Sequence, residues 1–97
     1  MLSPKTTFTL ESVEGGQNNQ SVSDASSEAN LDIQYTVGLA LGVPVTFISN
    51  GHVGGLQDLA IAFLDTAIFL DGVSNPPSVV TTSYAANEDL FTPTLAQ

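Results

Sequence analysis

The sequence predicts an α/β fold: a parallel sheet with flanking helices, in the order strand-helix-strand-helix-strand. Three observations predict it. Runs rich in β-branched and aromatic residues recur at 6–13, 43–49 and 78–84. Two stretches between them, from Glu28 to about Leu41 and over 56–70, have helical spacing. Strands alternating with helices imply crossover connections, and crossovers imply parallel strands.

Residues 6–13 alternate roughly between polar and apolar side chains and read as the first strand. Residues 14–25 follow as a polar loop, because Gly15-Gly16 and Asn18-Asn19 favour turns over repetitive structure. A loop of this length in a small domain is often functional, and otherwise a surface excursion.

The next helix opens on hydroxyls. Ser26 or Ser27 is placed to accept a first-turn N–H. Glu28 lies in that first turn, where the positive end of the helix dipole favours an anion. Asp32 follows at i+4, on the same face. Gly38, and Gly42 ahead of Pro44, are the stop signals. Leu31, Tyr35, Ile33 and Val37 put apolar surface on more than one side, which predicts a helix covered on several sides.

Residues 43–49 are continuously apolar, as in a central parallel strand, with Pro44 at its start. A turn over 50–55 follows. It carries His52, the single histidine, which has no His or Cys companion for metal binding and reads as an exposed turn residue. Over 56–70, Leu56, Leu59, Ala60, Phe63, Leu64, Ala67 and Ile68 form a stripe predicted to face the sheet, leaving Asp58 and Asp65 in solvent. Asp71-Gly72 and then Pro76-Pro77 end that helix. Residues 78–84 read as the third strand and 85–89 as a turn. From Leu90 a further helix is expected to begin, with Pro93 near its first turn.

Composition narrows the partners. Ninety-seven residues make one small domain with a modest core. Ten acids against one lysine give a formal net charge of −9. Neither nucleic acid nor an anionic membrane surface attracts such a chain. The surface repels itself at neutral pH and relaxes as carboxylates protonate, so acidic surroundings fit, although acidic surfaces also serve solubility. Without cysteine there is no disulfide and no thiolate site. No run approaches the ~20 apolar residues of a membrane span. Met1-Leu2-Ser3-Pro4-Lys5 has no apolar core, so no secretory signal peptide is read in this chain.

The chemistry centres on Glu28 and Asp32. Like charges at i, i+4 destabilise an isolated helix by roughly 0.2–0.5 kcal/mol. On a buried face such a pair tends to share one proton, as a general acid/base relay requires. From spacing alone, an ordinary solvated helix face is the better account of the two acids, because such pairs are common on helix surfaces.

The surrounding wording carries more. Glu28-Ala29-Asn30-Leu31-Asp32-Ile33-Gln34-Tyr35-Thr36-Val37-Gly38-Leu39-Ala40 resembles the catalytic helix of the sedolisin family, the serine-carboxyl peptidases, and most of all its fungal tripeptidyl-peptidase branch. The resemblance continues through Gly42-Val43-Pro44-Val45-Thr46-Phe47-Ile48-Ser49 and resumes at Val80-Thr81-Thr82-Ser83-Tyr84. It implies a partial subtilisin-like parallel sheet, with 1–97 as the N-terminal portion of a peptidase domain. It also implies that Glu28 is the general base and Asp32 its partner. The family's nucleophile lies in a Gly-Thr-Ser context and its oxyanion aspartate in a Gly-Asp-Ser-Gly-like turn; neither motif occurs here. The family's calcium site also lies later, so the resemblance assigns no metal ligand and no cofactor to this chain.

Ser83, Tyr84 and Ala85 resemble the strand end that pairs with substrate backbone. Ala85 stands where the family usually has glycine, which narrows that subsite, and Glu88 matches an acid that follows. The implied partners are a peptide or protein substrate and the remainder of the catalytic domain. The implied setting of the parent protein is extracellular or an acidic vesicle. The competing reading is a non-catalytic acidic α/β module, or a degenerate copy without activity. A metal or phosphate binder is set aside, because cation-rich loops and clustered ligands are missing.

Overall fold

In a computed structural model, residues 6–52, 54–92 and 94 are described. They form β1 (Thr9–Val13), α1 (Ser27–Leu39), β2 (Thr46–Asn50) and α2 (Leu56–Gly72), with single 3-10 turns at Val22–Asp24 and Glu88–Leu90. The two strands pair in parallel, in register from Thr9 opposite Thr46 to Val13 opposite Asn50. Parallel neighbours need a crossover of a dozen or more residues. Here the polar stretch after β1 and then α1 supply it. α2 packs on both strands, whereas α1 makes only sparse contact with other elements.

The carboxyl end of the sheet is tied tightly. The Val13 carbonyl accepts from Gly16 N–H and from Gly51 N–H, both at 3.0 Å. The two backbones cross so closely that a Cβ on Gly16 would collide with the Ser49 carbonyl, and one on Gly51 with the Glu14 carbonyl. Ser12 Oγ donates to the Gly16 carbonyl and Ser49 Oγ to the Gln17 carbonyl, each at 2.6 Å. At the amino end Thr9 N–H donates to the Val45 carbonyl at 2.9 Å. There Phe8 also meets Phe47 edge to face, with ring centres 5.9 Å apart.

Asn50 connects the sheet to α2. Its Nδ2 donates to the Ala62 carbonyl at 3.2 Å and to Thr66 Oγ1 at 3.3 Å. Its Oδ1 accepts from His52 N–H at 2.9 Å.

The expected third strand at 78–84 does not form. β1 and β2 are paired only with each other, and 78–84 is an exposed, non-repetitive stretch. β-branched content reports that a segment suits a pleated, half-buried surface, not that a ladder partner is available. The fold is therefore a small α/β unit with a two-stranded parallel sheet.

The helices also turn differently from the stripe reading. Phe63, Leu64 and Ile68, at 40%, 57% and 61% exposure, face outward on α2 together with Leu56 and Ala67. The half-buried positions include Asp58, Leu59, Ala62, Asp65, Thr66 and Phe69. Asn50's bonds to Ala62 and Thr66 fix that rotation. On α1, Ala29, Ile33 and Val37 are half-buried, while Leu31, Tyr35 and Leu39 are exposed, so this helix is covered on one side only. β2 begins at Thr46, and residues 43–45 lead into it. No helix starts among residues 90–92 and 94; Pro93 and residues 95–97 lie outside the described residues, as do residues 1–5. No helix among the described residues is long and apolar enough to cross a membrane.

Val13 is the one apolar side chain below a tenth exposed among the described residues, at 7%. The chain exposes 7510 Å². A compact monomer of 10.1 kDa exposes about 5,300 Å². The radius of gyration is 14.8 Å, against roughly 12–13 Å for a compact domain of this length. A core this thin concentrates the effect of core truncation. Val13→Ala is expected to cost about 2 kcal/mol. Ile68→Gln, on the outward face of α2, is expected to stay within about 0.5 kcal/mol. Urea midpoints of the two variants check the orientation of α2; the reverse ranking would mean that its stripe faces the sheet.

Candidate functional site

α1 is positioned by its cap. Ser26 has an extended backbone, and its Oγ accepts from Ala29 N–H at 3.1 Å, so Ser26 is the capping residue and Ser27 the first helical one. Asn30 Nδ2 adds a bond to the Ser26 carbonyl at 2.9 Å. Gly38 stays inside the helix; the chain leaves through Ala40, and Gly42 takes the positive φ of 78°.

Glu28 and Asp32 are half-buried on the covered face of α1, together with Ala29, Ile33 and Thr36. Glu28 sits in the first turn and Asp32 one turn on. Asp32 Oδ1 accepts from Ser83 Oγ at 2.6 Å, a contact that spans 51 positions of sequence. This bond attaches the 78–84 stretch to α1 where the ladder was expected. Beside it opens a groove of about 460 Å³, lined by Leu31, Asp32, Tyr35, Thr36 and Thr81. Leu31 and Tyr35 give it an apolar wall, and Asp32, Thr36 and Thr81 bring oxygens to it.

Of the residues predicted from the sequence, Asp32 and Ser83 are brought into contact. Glu28 shares the helix face with Asp32 but does not line the groove, and no hydrogen bond joins the two carboxyls. Tyr84 and Ala85 are exposed and outside the groove lining. Thr81 is a lining residue that sequence reading passed over. Its signal was the run beside Ser83, read as strand propensity and as part of the family resemblance but not as a site.

A second polar contact joins the turn after β2 to α2. His52 Nε2 stands 3.1 Å from Asp65 Oδ2, with the side chains 36% and 24% exposed. His52 is thus a partnered residue, not a free turn histidine, and Asp65 faces inward, not into solvent. The rotation of α2 that turns Phe63 outward brings Asp65 to this position. Among the described residues, no cluster of three or more His, Asp or Glu is placed to hold a metal ion.

These features define a small α/β unit bearing a carboxylate–hydroxyl site beside an open groove. Curated proteins resemble it in sequence. The chain is 31% identical over 100 residues to a probable tripeptidyl-peptidase SED4 of Arthroderma benhamiae, matching 92% of this chain and 17% of that protein. It is 33% identical over 94 residues to tripeptidyl-peptidase SED4 of Arthroderma otae, covering 86% and 16% of the two. A probable tripeptidyl-peptidase SED2 of Trichophyton verrucosum is 36% identical over 88 residues, covering 78% and 15%. No family model matches the chain, and no solved structure matches it. Over most of its own length the chain is thus similar to tripeptidyl-peptidases of the sedolisin family. It spans about one sixth of the length of the curated relatives it matches.

Two outcomes follow from this geometry. Ser26→Ala is expected to cost about 1 kcal/mol and to lower α1 helicity, read by far-UV circular dichroism and a denaturation midpoint. Ser83→Ala is expected to release the 79–85 stretch from α1. Backbone ¹⁵N relaxation checks it: order parameters there should fall below about 0.6, with α2 unchanged.

Proposed function

We propose that this chain carries the acid pair of an acid-active serine-type peptidase that cleaves peptide bonds. In this reading Glu28 is the general base that takes the proton of a serine nucleophile as it attacks the peptide carbonyl, and Asp32 holds and tunes Glu28. The observation that carries the reading is the placement of both acids on one half-buried face of α1, Asp32 opening onto the groove, in a chain whose relatives are named tripeptidyl-peptidases. A groove with one apolar wall and hydroxyl oxygens suits an extended peptide, which offers side chains and backbone N–H groups together.

The serine and the oxyanion donor of this chemistry belong, in the reading, to the remainder of the catalytic domain. That remainder is also the partner that covers the outward face of α2 and the free sheet edges. Ser83, Tyr84 and Ala85 contribute to substrate contact by the same resemblance. No cofactor is assigned to this chain. The setting of the complete protein is extracellular or an acidic vesicle.

A second reading, a non-catalytic acidic α/β module, is favoured by one observation. Ser83, the serine bonded to the acid pair, donates to Asp32 and not to the proposed base Glu28. Covalent peptide cleavage needs a nucleophile with its own base and oxyanion donor. The chain alone is therefore expected to give no turnover of a tripeptide-amide reporter at acidic pH. Turnover abolished by Glu28→Gln would overturn that expectation. Peptide contact is tested separately: titration with an unlabelled tripeptide should shift the amide resonances of Leu31, Asp32, Tyr35 and Thr81. Shifts confined to other residues would remove the groove from the reading.

A further inference from the structure

The polar stretch between β1 and α1 holds a motif that the peptidase reading does not use, Asn19-Gln20-Ser21. Of the six asparagines in the chain, only Asn19 has a hydroxyl residue two positions on. Asparagine followed at the second position by serine or threonine, with no proline between, is the acceptor pattern for N-linked glycosylation. Alone the pattern is short and arises by chance, so its setting decides.

The setting is that of an acceptor. Asn19, Gln20 and Ser21 are all exposed, and residues 16–21 belong to no helix or strand. Val22, directly after them, is 93% exposed. The Asn19 side chain is already folded back on its own motif. Its Oδ1 accepts from Ser21 N–H at 3.0 Å, the Asx-turn arrangement that draws the hydroxyl-bearing residue against the amide. Asn19 Nδ2 donates to Asp24 Oδ2. The sheet-end bonds stop at Gln17, whose carbonyl accepts from Ser49 Oγ at 2.6 Å. A bulky group on Asn19 therefore meets solvent and leaves the β1–β2 closure intact.

We propose that Asn19 is an N-glycosylation site. The donor is a polyprenyl-diphosphate-linked oligosaccharide. A bond forms between Asn19 Nδ2 and the anomeric carbon of its first N-acetylglucosamine, and the bond from that carbon to the diphosphate oxygen breaks. The diphosphate leaves with the electron pair, and the amide gives up one proton to a base of the transferase. No oxidation or reduction is involved. The modification rests on the extracellular or vesicular setting proposed above, since such donors are used during entry into the secretory route. It does not rest on the roles of Glu28 or Asp32.

The test is secretion of the full chain from yeast behind a cleavable leader, which fixes the route and leaves the acceptor as the variable. Intact mass and a peptide map are read before and after peptide-N-glycosidase treatment, on material from the medium and from membrane-enclosed fractions. The expected result is a mass excess that the enzyme removes, with conversion of Asn19 to aspartate in the map. Asn19→Gln and Ser21→Ala should abolish the excess, and Ser21→Thr should retain it. Wild-type chain at its unmodified mass in both fractions, or a glycan mapped to any other residue, would overturn the proposal. The wild-type map decides the matter even if a variant fails to fold.

Discussion

The parallel pairing of β1 with β2 is the constraint from which the rest of this structure follows. Parallel strands cannot be joined by a tight turn, so the chain must leave Val13 at one end of the sheet and travel back to the other end, beside Thr9, before Thr46. α1 is the element that makes the return, and its first two turns carry the two acids. The sheet itself is secured by backbone bonds at the Val13 carbonyl and by the crossing of Gly16 and Gly51, not by a thick core. Because side chains at that crossing would collide, glycine is required there for a packing reason and not merely to permit a turn.

The rotation of α2 shows which interaction wins when polar and apolar preferences compete. Burial of Phe63, Leu64 and Ile68 would contribute roughly 1.5–3 kcal/mol each if complete. A two-stranded sheet offers too little surface to bury them. Asn50 is fixed at the end of β2, and its amide finds Ala62 and Thr66 while His52 finds Asp65. Leaving such groups half-buried without partners would cost about 1–3 kcal/mol apiece. The helix therefore meets the sheet with a mixed face, Leu59, Ile61 and Phe69 beside Asp65 and Thr66, while Phe63, Leu64 and Ile68 face outward. The same shortage of surface explains why the chain exposes well over the area expected of a compact protein of its mass. It accords with a chain that matches only about a sixth of its relatives' length.

Much of the local structure was legible in the sequence. The helix over Ser27–Leu39 is marked by Ser26 ahead of it and by Glu28 in its first turn; α2 is marked by its length and spacing and closed before Pro76. Local signals of this kind act within one or two turns, so they survive in any surroundings. What depended on partners was not legible. The stretch 78–84 has the composition of a strand but no ladder to join. The spacing over 56–70 gives a stripe but not the object it faces. His52 has no sequence neighbour that announces Asp65, 13 positions on. For the candidate site, spacing and wording singled out Glu28 and Asp32, whereas the Ser83 contact with Asp32 joins positions 51 apart and required coordinates.

That long-range contact also shapes the groove. With no third strand to receive it, 78–84 is anchored to α1 by one hydroxyl–carboxylate bond, and Thr81 is thereby brought opposite Leu31 and Tyr35. The groove exists because a side-chain bond stands in for a row of backbone bonds. Its electrostatics follow from the same substitution. Repulsion between carboxylates one helical turn apart is small while water reaches them and grows as cover displaces that water. The half-buried face of α1 lies between those limits. Whatever further surface closes over α1 therefore sets how strongly Glu28 and Asp32 influence one another, and the helix supplies only their spacing.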